Sequence, residues 1–251
     1  MEQQIAAELL EINRRFYNEF GDAFAATRRR IQPGISRILE TIPPETPSDW
    51  LDLGCGSGAL GQIWAAQKRS GSYTGLDFSE PLLHEAEKVT GGSSGEALRL
   101  SYLPADLMDP SWPDILGEQK YDGILAFASL HHIPGRDNHL RIFRQVRQLL
   151  RADGRFILSV WQFQNSVKLM QRVQPWQTAG IPDNLLEAGD TLLDWRYALP
   201  QNQEKQGLRY VHLFREEELA DLAKESGFRV TEQFYSDGAE KNLALYCEMR
   251  P

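Results

Sequence analysis

A glycine-rich turn constrains this chain more than any other feature of its sequence. The segment DLGCGSG at residues 52–58 follows apolar residues typical of a buried strand and precedes a pattern typical of a helix. Glycines leave room for a ligand to approach the backbone, and the first N–H groups of the helix point at that ligand. The segment therefore predicts a nucleotide-type binding site where a strand ends.

Strand-like and helix-like patterns alternate along the part of the chain that contains this turn. Strands are predicted at residues 50–54, 73–77, 98–103, 123–128 and 155–161, and helices at 59–68, 81–89 and 138–150. Two last strands, at 228–235 and 242–248, are separated by Ser-Asp-Gly, which is typical of a hairpin turn. We expect an α/β fold: a doubly wound, Rossmann-like sheet of seven strands, with helices on both faces and a terminal antiparallel hairpin.

Residues outside this alternation define the expected domain organisation. A first helix is predicted by apolar residues that recur three or four positions apart: Ile5, Leu9, Ile12, Phe16 and Phe20. Residues 31–40 predict a second helix, and residues 41–48 contain three prolines typical of a linker. We therefore expect an N-terminal helical cap at residues 1–48 and a main domain at residues 49–251. An irregular stretch with aromatic residues, at about 181–213, is expected to be an insertion in that domain.

Composition argues against several classes of protein. No run approaches the ~18 apolar residues of a membrane-spanning helix, and residues 1–11 lack the basic start and apolar core of a signal peptide. Cys55 and Cys247 form no C-x-x-C pair, so we expect a cytoplasmic protein with no disulfide framework and no metal site. A net charge of −8 does not attract nucleic acid, so contact with RNA requires a local basic patch.

Two adenosine cofactors compete for the glycine-rich segment. Residues 56–61 also satisfy G-x-G-x-x-G, the fingerprint of dinucleotide binding. Asp77 ends the next predicted strand, where a carboxylate suits the ribose hydroxyls of either NAD or S-adenosylmethionine (SAM). Asp52 favours SAM, because at a strand end it would meet the cationic amino group of the methionine moiety and would repel a pyrophosphate. Asp106 ends the third strand, where it suits an adenine amino group.

Four segments together resemble the successive motifs of class I SAM-dependent methyltransferases. They are DLGCGSG (52–58), LDFS (76–79), ADL (105–107) and YDGILAFASLHHI (121–133), and the resemblance covers residues 49–161. It implies the class I methyltransferase fold, with SAM as the cofactor at the carboxyl ends of the strands. The residues expected to bind SAM are Tyr17, Arg28, Asp52, Gly54, Cys55, Gly56, Gly58, Asp77, Phe78, Asp106, Leu107 and Phe127.

Segments nearer both ends of the chain resemble the wobble carboxymethyluridine tRNA methyltransferases, which esterify a carboxymethyl group on an anticodon uridine. The similar segments are FYNEF (16–20), TR (27–28), DTLLDW (190–195) and RYVHLFR (209–215). The chain departs from that family at Asp194, where the family has proline, and at Glu217, where it has glycine. This resemblance covers almost the whole chain and implies a tRNA substrate.

The same resemblance implies specific contacts and partners. Tyr17 and Arg28 would close over SAM, with Arg28 paired to its carboxylate. A small zinc-binding activator, of the kind that eukaryotic members use, is an expected partner. Because the chain is acidic overall, a tRNA site requires arginines gathered around the mouth of the pocket: Arg28, Arg29, Arg30, Arg136 and Arg209.

Two side chains are expected to face the methyl acceptor. His131 and His132 follow the fourth strand, and as strand neighbours they would point to opposite faces, which disfavours a two-histidine metal site. His132 is the one expected to face the substrate. Arg196 suits a carboxylate acceptor, which is ionised at neutral pH and needs no general base. Other residues of the insertion suit either a flat base with its carboxylate or a small lid core: Trp195, Arg209, Tyr210 and His212.

The function expected from these features is methyl transfer from SAM to an oxygen, forming a methyl ester on a carboxymethyl-type wobble uridine of tRNA. Two alternatives stay open, because a fold does not determine a substrate. One is a methyltransferase that acts on a small molecule. The other is a non-catalytic SAM-binding subunit.

Overall fold

A seven-stranded sheet forms the centre of the computed structural model, which describes residues 1–26, 31–91, 97–198 and 204–251. In chain order the strands are β1 (Ser48–Leu53), β2 (Gly71–Asp77), β3 (Leu98–Pro104), β4 (Tyr121–Phe127), β5 (Leu150–Trp161), β6 (Val173–Gln174), β7 (Asp190–Ala198), β8 (Glu204–His212), β9 (Arg229–Ser236) and β10 (Ala244–Arg250). The α-helices are α1 (Gln3–Ala26), α2 (Pro33–Glu40), α3 (Ala59–Ala66), α4 (Glu80–Thr90), α5 (Arg136–Leu149), α6 (Val167–Met170) and α7 (Glu216–Glu225).

The strand order of the large sheet is β3-β2-β1-β4-β5-β10-β9. Strands β1 to β5 are parallel, whereas β10 is antiparallel to both β5 and β9. The predicted doubly wound sheet of seven strands with a terminal antiparallel hairpin is therefore confirmed. Because the chain order reverses between β1 and β4, the carboxyl ends of these strands open a crevice, the usual position of a ligand in such sheets.

Helices cover both faces of this sheet. Helices α5 and α7 bury side chains such as Phe143 and Leu222 against one face. Helices α2, α3 and α4 cover the other face with residues that include Ile38, Trp64 and Leu83. The large sheet is thus the middle layer of three, and its strand ends are held in fixed positions. Among the described residues, no helix is both long and apolar enough to cross a bilayer.

A second, antiparallel sheet has the order β6-β7-β8 and lies between β5 and α7 in the chain. The stretch 181–213 has no regular period in its sequence, yet it contains the regular strands β7 and β8, which pair from Asp190 with His212 to Ala198 with Glu204. We call β6, β7 and β8 the insertion sheet.

The insertion sheet shares a core with α1. Ile5 and Leu9 of α1 pack in one cluster with Trp176, Leu192 and Tyr210. The boundary expected at residue 48 between a helical cap and a main domain stays a prediction. Packing joins α1 to the insertion sheet, so that both lie over the carboxyl ends of the large sheet.

Candidate active site

A cavity of about 670 Å³ lies at the carboxyl ends of β1 to β5. This volume is within the range of small-molecule sites in proteins. Every one of these strands contributes lining residues at or just beyond its end, and α1 and β8 add residues from above. Of the residues expected to bind SAM, the cavity is lined by Tyr17, Gly54, Cys55, Gly56, Asp77, Phe78, Asp106, Leu107 and Phe127.

The glycine turn (residues 54–58) has a left-handed backbone at each glycine, with φ of 77° at Gly54, 55° at Gly56 and 75° at Gly58. A Cβ at Gly54 would lie 2.6 Å from Cβ of Ser129, and a Cβ at Gly58 would lie 2.6 Å from Cβ of Ala86. A Cβ at Gly56 would meet no heavy atom of the described residues within 4 Å. Gly54 and Gly58 are therefore needed for packing of the turn, whereas Gly56 keeps open the space that a ligand would fill.

Gly58 is not among the described residues that line the cavity. It has the N-cap position of α3. Its contribution to a ligand site is to let the turn pack closely against α4.

Asp77 stands at the end of β2 and faces the cavity. One carboxylate oxygen accepts a hydrogen bond of 2.9 Å from the Gly56 N–H, and the other accepts one of 2.9 Å from the Ser79 N–H. Burial raises the pKa of Asp77, while these backbone donors lower it. The carboxylate is thereby fixed beside the glycine turn, where its remaining lone pairs suit the hydroxyls of a ribose. The assignment of Asp77 to SAM binding stays a prediction.

Asp106 also faces the cavity, and its carboxylate is bound by the protein on both oxygens. Oδ2 accepts a hydrogen bond of 2.6 Å from Nη2 of Arg14, and Oδ1 accepts one of 2.9 Å from the Met108 N–H. Arg14 thus reaches from α1 to the end of β3. An adenine amino group at this position would share the carboxylate with Arg14.

Asp52 does not lie where it was expected. Among the described residues it is not part of the cavity lining, and its side chain is buried beside Tyr73 of β2. It is 4% exposed and accepts a hydrogen bond from the Tyr73 hydroxyl. Burial raises the pKa of Asp52 to about 7. The expected contact of Asp52 with the SAM amino group is not supported by this position.

The expectation that His131 and His132 are neighbours on a strand is wrong. They end a short 3-10 helix, Leu130–His132, so their rings lie on the same side of the chain with centroids 4.3 Å apart. Both line the cavity. Nδ1 of His132 lies 3.1 Å from the Tyr210 carbonyl, and Nε2 lies 3.1 Å from the Tyr17 hydroxyl. Because a carbonyl only accepts, Nδ1 carries a proton, and in the neutral ring Nε2 accepts from Tyr17.

Arg196 is likewise displaced from its expected place. The described residues that line the cavity include Arg209 but not Arg196. Nε of Arg196 donates a hydrogen bond of 3.1 Å to the buried Asp194, which draws the half-exposed guanidinium away from the cavity. Arg209, on the neighbouring strand β8, is only 3% exposed. It is the insertion-sheet arginine that the fold brings to the cavity.

The expected basic patch around the cavity mouth is not formed by the two described arginines assigned to it. Arg136 pairs with Glu225 at 2.6 Å, and Arg209 is buried. The other three members, Arg28, Arg29 and Arg30, lie outside the described residues. The expected contact between Arg28 and the SAM carboxylate is therefore a prediction to which the structure adds nothing.

Sequence reasoning missed several residues of the cavity. From α1 these are Leu10, Asn13 and Arg14, which lie at helical spacing before Tyr17 and so share its face. That spacing was a signal that could have identified them. Asn13 is buried and donates to the carbonyls of His132 and Tyr210. Trp161 at the end of β5 was missed because nothing in its local pattern distinguishes a cavity aromatic from a core one.

A family model described as a methyltransferase domain matches residues 24–233. The chain belongs to this methyltransferase family. Its relatives include a protein of Encephalitozoon cuniculi named as a methyltransferase, 28% identical over 219 residues and covering 86% of each chain. A second relative is the tRNA (carboxymethyluridine(34)-5-O)-methyltransferase of Schizosaccharomyces pombe, 23% identical over 90% of this chain and 94% of that protein.

Solved methyltransferase structures share the fold. One of them is 1,6-didemethyltoxoflavin-N1-methyltransferase of Burkholderia thailandensis with bound S-adenosylhomocysteine, at a TM-score of 0.61 and 21% identity over 100% of this chain and 90% of that one. The class I methyltransferase fold predicted from the motifs is thereby confirmed. With these motifs and this family, the chain is a SAM-dependent methyltransferase. The open space at Gly56 and the fixed carboxylate of Asp77 fit SAM.

Proposed function

We propose that this methyltransferase forms a methyl ester on a carboxymethyl-type modified uridine at the wobble position of tRNA. The relative from S. pombe supports the substrate, because its name states this uridine and it matches most of both chains. The segments 16–20 and 209–215, which carried the sequence resemblance, meet at the cavity through Tyr17 and Arg209 and support it from inside this chain.

The observation that carries the proposal is the position of Arg209. Its guanidinium carbon lies 5.0 Å from the ring centre of Phe16 and 5.3 Å from that of Trp161. These aromatic faces hold the cation in place at the carboxyl end of β5, on the cavity wall. A fixed, always charged guanidinium beside a flat indole suits a substrate that combines a carboxylate with a planar base.

The state of His132 supports a carboxylate acceptor. The Tyr210 carbonyl and the Tyr17 hydroxyl engage both nitrogens of the imidazole. An amine or a phenol would need a group that takes its proton, whereas a carboxylate reacts without one. His132 then serves to orient Tyr17 rather than to accept a proton from the substrate.

The protein's contribution to catalysis is to position SAM and the acceptor and to exclude water from between them. SAM, when bound, supplies a methyl group already activated by the positive sulfur. Gly56 and Asp77 would hold its nucleoside end, and Arg209 would hold the acceptor carboxylate. Phe16 and Trp161 exclude water from Arg209, which strengthens the ion pair. Orientation of the two reactants in this way supplies about 7–11 kcal/mol of barrier lowering in favourable cases.

A small-molecule acceptor is a second candidate, and the net charge of −8 favours it. A carboxylate on a free metabolite would use Arg209 in the same way without any basic surface for a polynucleotide. The small zinc-binding activator stays a proposed partner of the tRNA-modifying form.

The test is transfer of labelled methyl from SAM to tRNA that carries carboxymethyluridine, with and without a zinc-binding activator. Mild alkali should release the label as methanol, because it cleaves a methyl ester. Label that resists alkali would mean an ether or N-methyl product and would contradict the ester. Label that appears only on a small carboxylic acid would favour the second candidate.

A further inference from the structure

Three side chains that could bind a metal ion meet behind the cavity, on separate elements. His139 lies on α5, His212 at the end of β8 and Glu218 in the first turn of α7. One ligand atom from each lies within 4.8 Å of the others. The described part of the chain contains no other set of three such groups that meets this distance.

The second nitrogen of each histidine is already fixed by the protein. Nε2 of His139 lies 2.7 Å from the Ile133 carbonyl, and Nδ1 of His212 lies 2.9 Å from Oδ1 of Asp190. A backbone carbonyl and a carboxylate are the groups that usually orient a histidine bound to a metal through its other nitrogen. The nitrogens left for a metal are Nδ1 of His139 and Nε2 of His212.

His139 gives an independent indication that a ligand belongs at this cluster. The residue is 1% exposed, and its Nδ1 is buried with no hydrogen-bond partner within the described ranges. Since Nε2 donates to a carbonyl, Nδ1 of the neutral ring is an acceptor with its lone pair unused. Burial of such an acceptor is unfavourable unless something donates to it or binds it.

We propose that His139, His212 and Glu218 bind a zinc ion. Two imidazole nitrogens and one carboxylate oxygen form a ligand set that zinc prefers, and water would complete a tetrahedron. Ligand atoms of a tetrahedral zinc site lie about 3.3 Å apart, so zinc binding would draw these three groups, now within 4.8 Å of one another, closer together. Zinc would displace the proton on Nε2 of His212, which passes to solvent. The side chain of Glu218 is 22% exposed and provides the route of entry.

The site would tie the insertion sheet to the large sheet. Asp190, which orients His212, also accepts a hydrogen bond of 2.8 Å from the Tyr210 hydroxyl. The carbonyl of Tyr210 in turn contacts His132 on the cavity. Zinc would thus be a positioning group for the cavity wall, and its role is independent of which acceptor the enzyme methylates. It departs from the expectation of no metal, which rested on cysteine spacing and on the pair His131 and His132.

Without metal, the same residues make a different arrangement. His212 would be an imidazolium that donates to Asp190 and to Glu218, each at 2.9 Å. His139→Gln separates the two descriptions, since its amide can still donate to the Ile133 carbonyl but offers no second nitrogen. The ion triad survives this change, whereas a zinc site would lose a ligand.

The experiment uses the full chain, purified without a histidine tag. Metal content is measured by mass spectrometry, zinc affinity by competition with a chromophoric chelator, and coordination by the visible absorption of the cobalt form. We expect one zinc per chain and a tetrahedral cobalt spectrum. His139→Gln and Glu218→Gln should each weaken zinc binding about tenfold or more, and zinc should raise their thermal midpoints less than that of the parent. The neighbouring, exposed Glu217→Gln is the matched control and should behave as the parent.

Parent protein that neither retains nor binds zinc stoichiometrically would overturn the proposal whatever the variants do. Equal zinc affinity in parent, His139→Gln and Glu218→Gln would also overturn it, because zinc would then bind elsewhere. If His139→Gln does not fold, the parent's metal content and the comparison of Glu218→Gln with Glu217→Gln still decide.

Discussion

At the scale of single residues, Gly56 and Gly180 allow the effect of backbone conformation to be distinguished from the effect of ligand contact. Gly56 and Gly180 both have a left-handed backbone, with φ of 55° and 73°, and at neither would a Cβ meet any described heavy atom within 4 Å. Gly56 lines the cavity, whereas Gly180 belongs to the insertion between β6 and β7. An alanine at either position therefore introduces the same strain, but only one of them fills ligand space.

Gly56→Ala and Gly180→Ala should each lower the free energy of unfolding by about 1–2 kcal/mol. Only Gly56→Ala should weaken SAM binding, by about tenfold or more, because its methyl group enters the space at the turn. Urea unfolding and calorimetric titration with SAM measure the two effects. A similar loss of SAM affinity in Gly180→Ala would show that the effect comes from general destabilisation.

Two arginines of the insertion sheet give a second matched pair. Arg209→Gln should lower kcat/KM for a carboxylate acceptor by about 10²-fold, or 2–3 kcal/mol, since it removes a buried charge-assisted contact. Arg196→Gln should leave kcat/KM within about twofold, because Arg196 is half-exposed and does not line the described cavity. SAM affinity should not change in either variant. Steady-state kinetics on the labelled substrate decide, and a larger effect at Arg196 would reverse the assignment.

The sequence correctly predicted the position of residues that local geometry fixes, and their role in SAM binding stays a prediction. The glycine turn and Asp77 could be placed because a strand, a turn and a helix fix them within a few positions. Asp52 and Arg196 were misplaced because the direction of a side chain near a strand end depends on the neighbouring strand. The Tyr73 hydroxyl donates a hydrogen bond to the carboxylate of Asp52, and the guanidinium of Arg196 donates one to Asp194.

At the scale of elements, the buried side chain of Asn13 connects α1 to β8 by hydrogen bonds. Oδ1 of Asn13 accepts a hydrogen bond of 2.8 Å from the Tyr210 N–H, and its Nδ2 donates to the Tyr210 carbonyl at 3.1 Å. This amide pairs with the strand as another strand would. It holds the cavity face of α1, which includes Tyr17, at a fixed distance from His132.

Asn13→Ala should lower the free energy of unfolding by about 1–3 kcal/mol, because it leaves the buried Tyr210 N–H without its acceptor. Gln4→Ala, on the exposed part of the same helix, should change it by less than about 0.5 kcal/mol. Chemical denaturation compares the two variants, and hydrogen exchange at Tyr210 reports the loss locally. Slow exchange at Tyr210 in Asn13→Ala would contradict the role given to this side chain.

The insertion sheet shows why some elements could not be predicted. In β7, Leu192 packs in the cluster under α1, and its neighbour Leu193 packs in the cluster with Phe163. Because both faces of the strand are covered, the alternation of apolar and polar residues that marks a strand is absent. The main strands were recognised because short apolar runs ended at turn residues at regular intervals.

At the scale of the whole molecule, the free energy of unfolding depends on the protonation of Asp52, which is buried in the large sheet. Burial raises the pKa of Asp52 to about 7, although the hydrogen bond from Tyr73 lowers it. In the unfolded chain the pKa of an aspartate is about 3.9. Between these values the folded protein holds a proton that the unfolded chain has lost. The stability linked to this proton is complete below about pH 4 and is lost as the pH rises to about 7.

The free energy of unfolding of the parent protein should therefore be lower at pH 8 than at pH 5. The loss is ~1.4 kcal/mol for each pH unit up to the folded pKa of about 7. Asp52→Asn has no proton to lose, so its stability should vary less over this range. Urea unfolding at the two pH values measures the difference. An identical pH dependence in parent and Asp52→Asn would exclude Asp52 as the group responsible.

We infer that the cavity at the carboxyl ends of the large sheet binds SAM through the glycine turn and Asp77. Calorimetric titration of the parent and of Asp77→Ala with SAM and with NAD tests this inference. The parent should bind SAM and prefer it to NAD, and Asp77→Ala, folded by circular dichroism, should lose about 1–3 kcal/mol of SAM binding because ribose hydroxyls then face an apolar gap. Unchanged SAM affinity in Asp77→Ala, or tighter binding of NAD than of SAM by the parent, would contradict the claim.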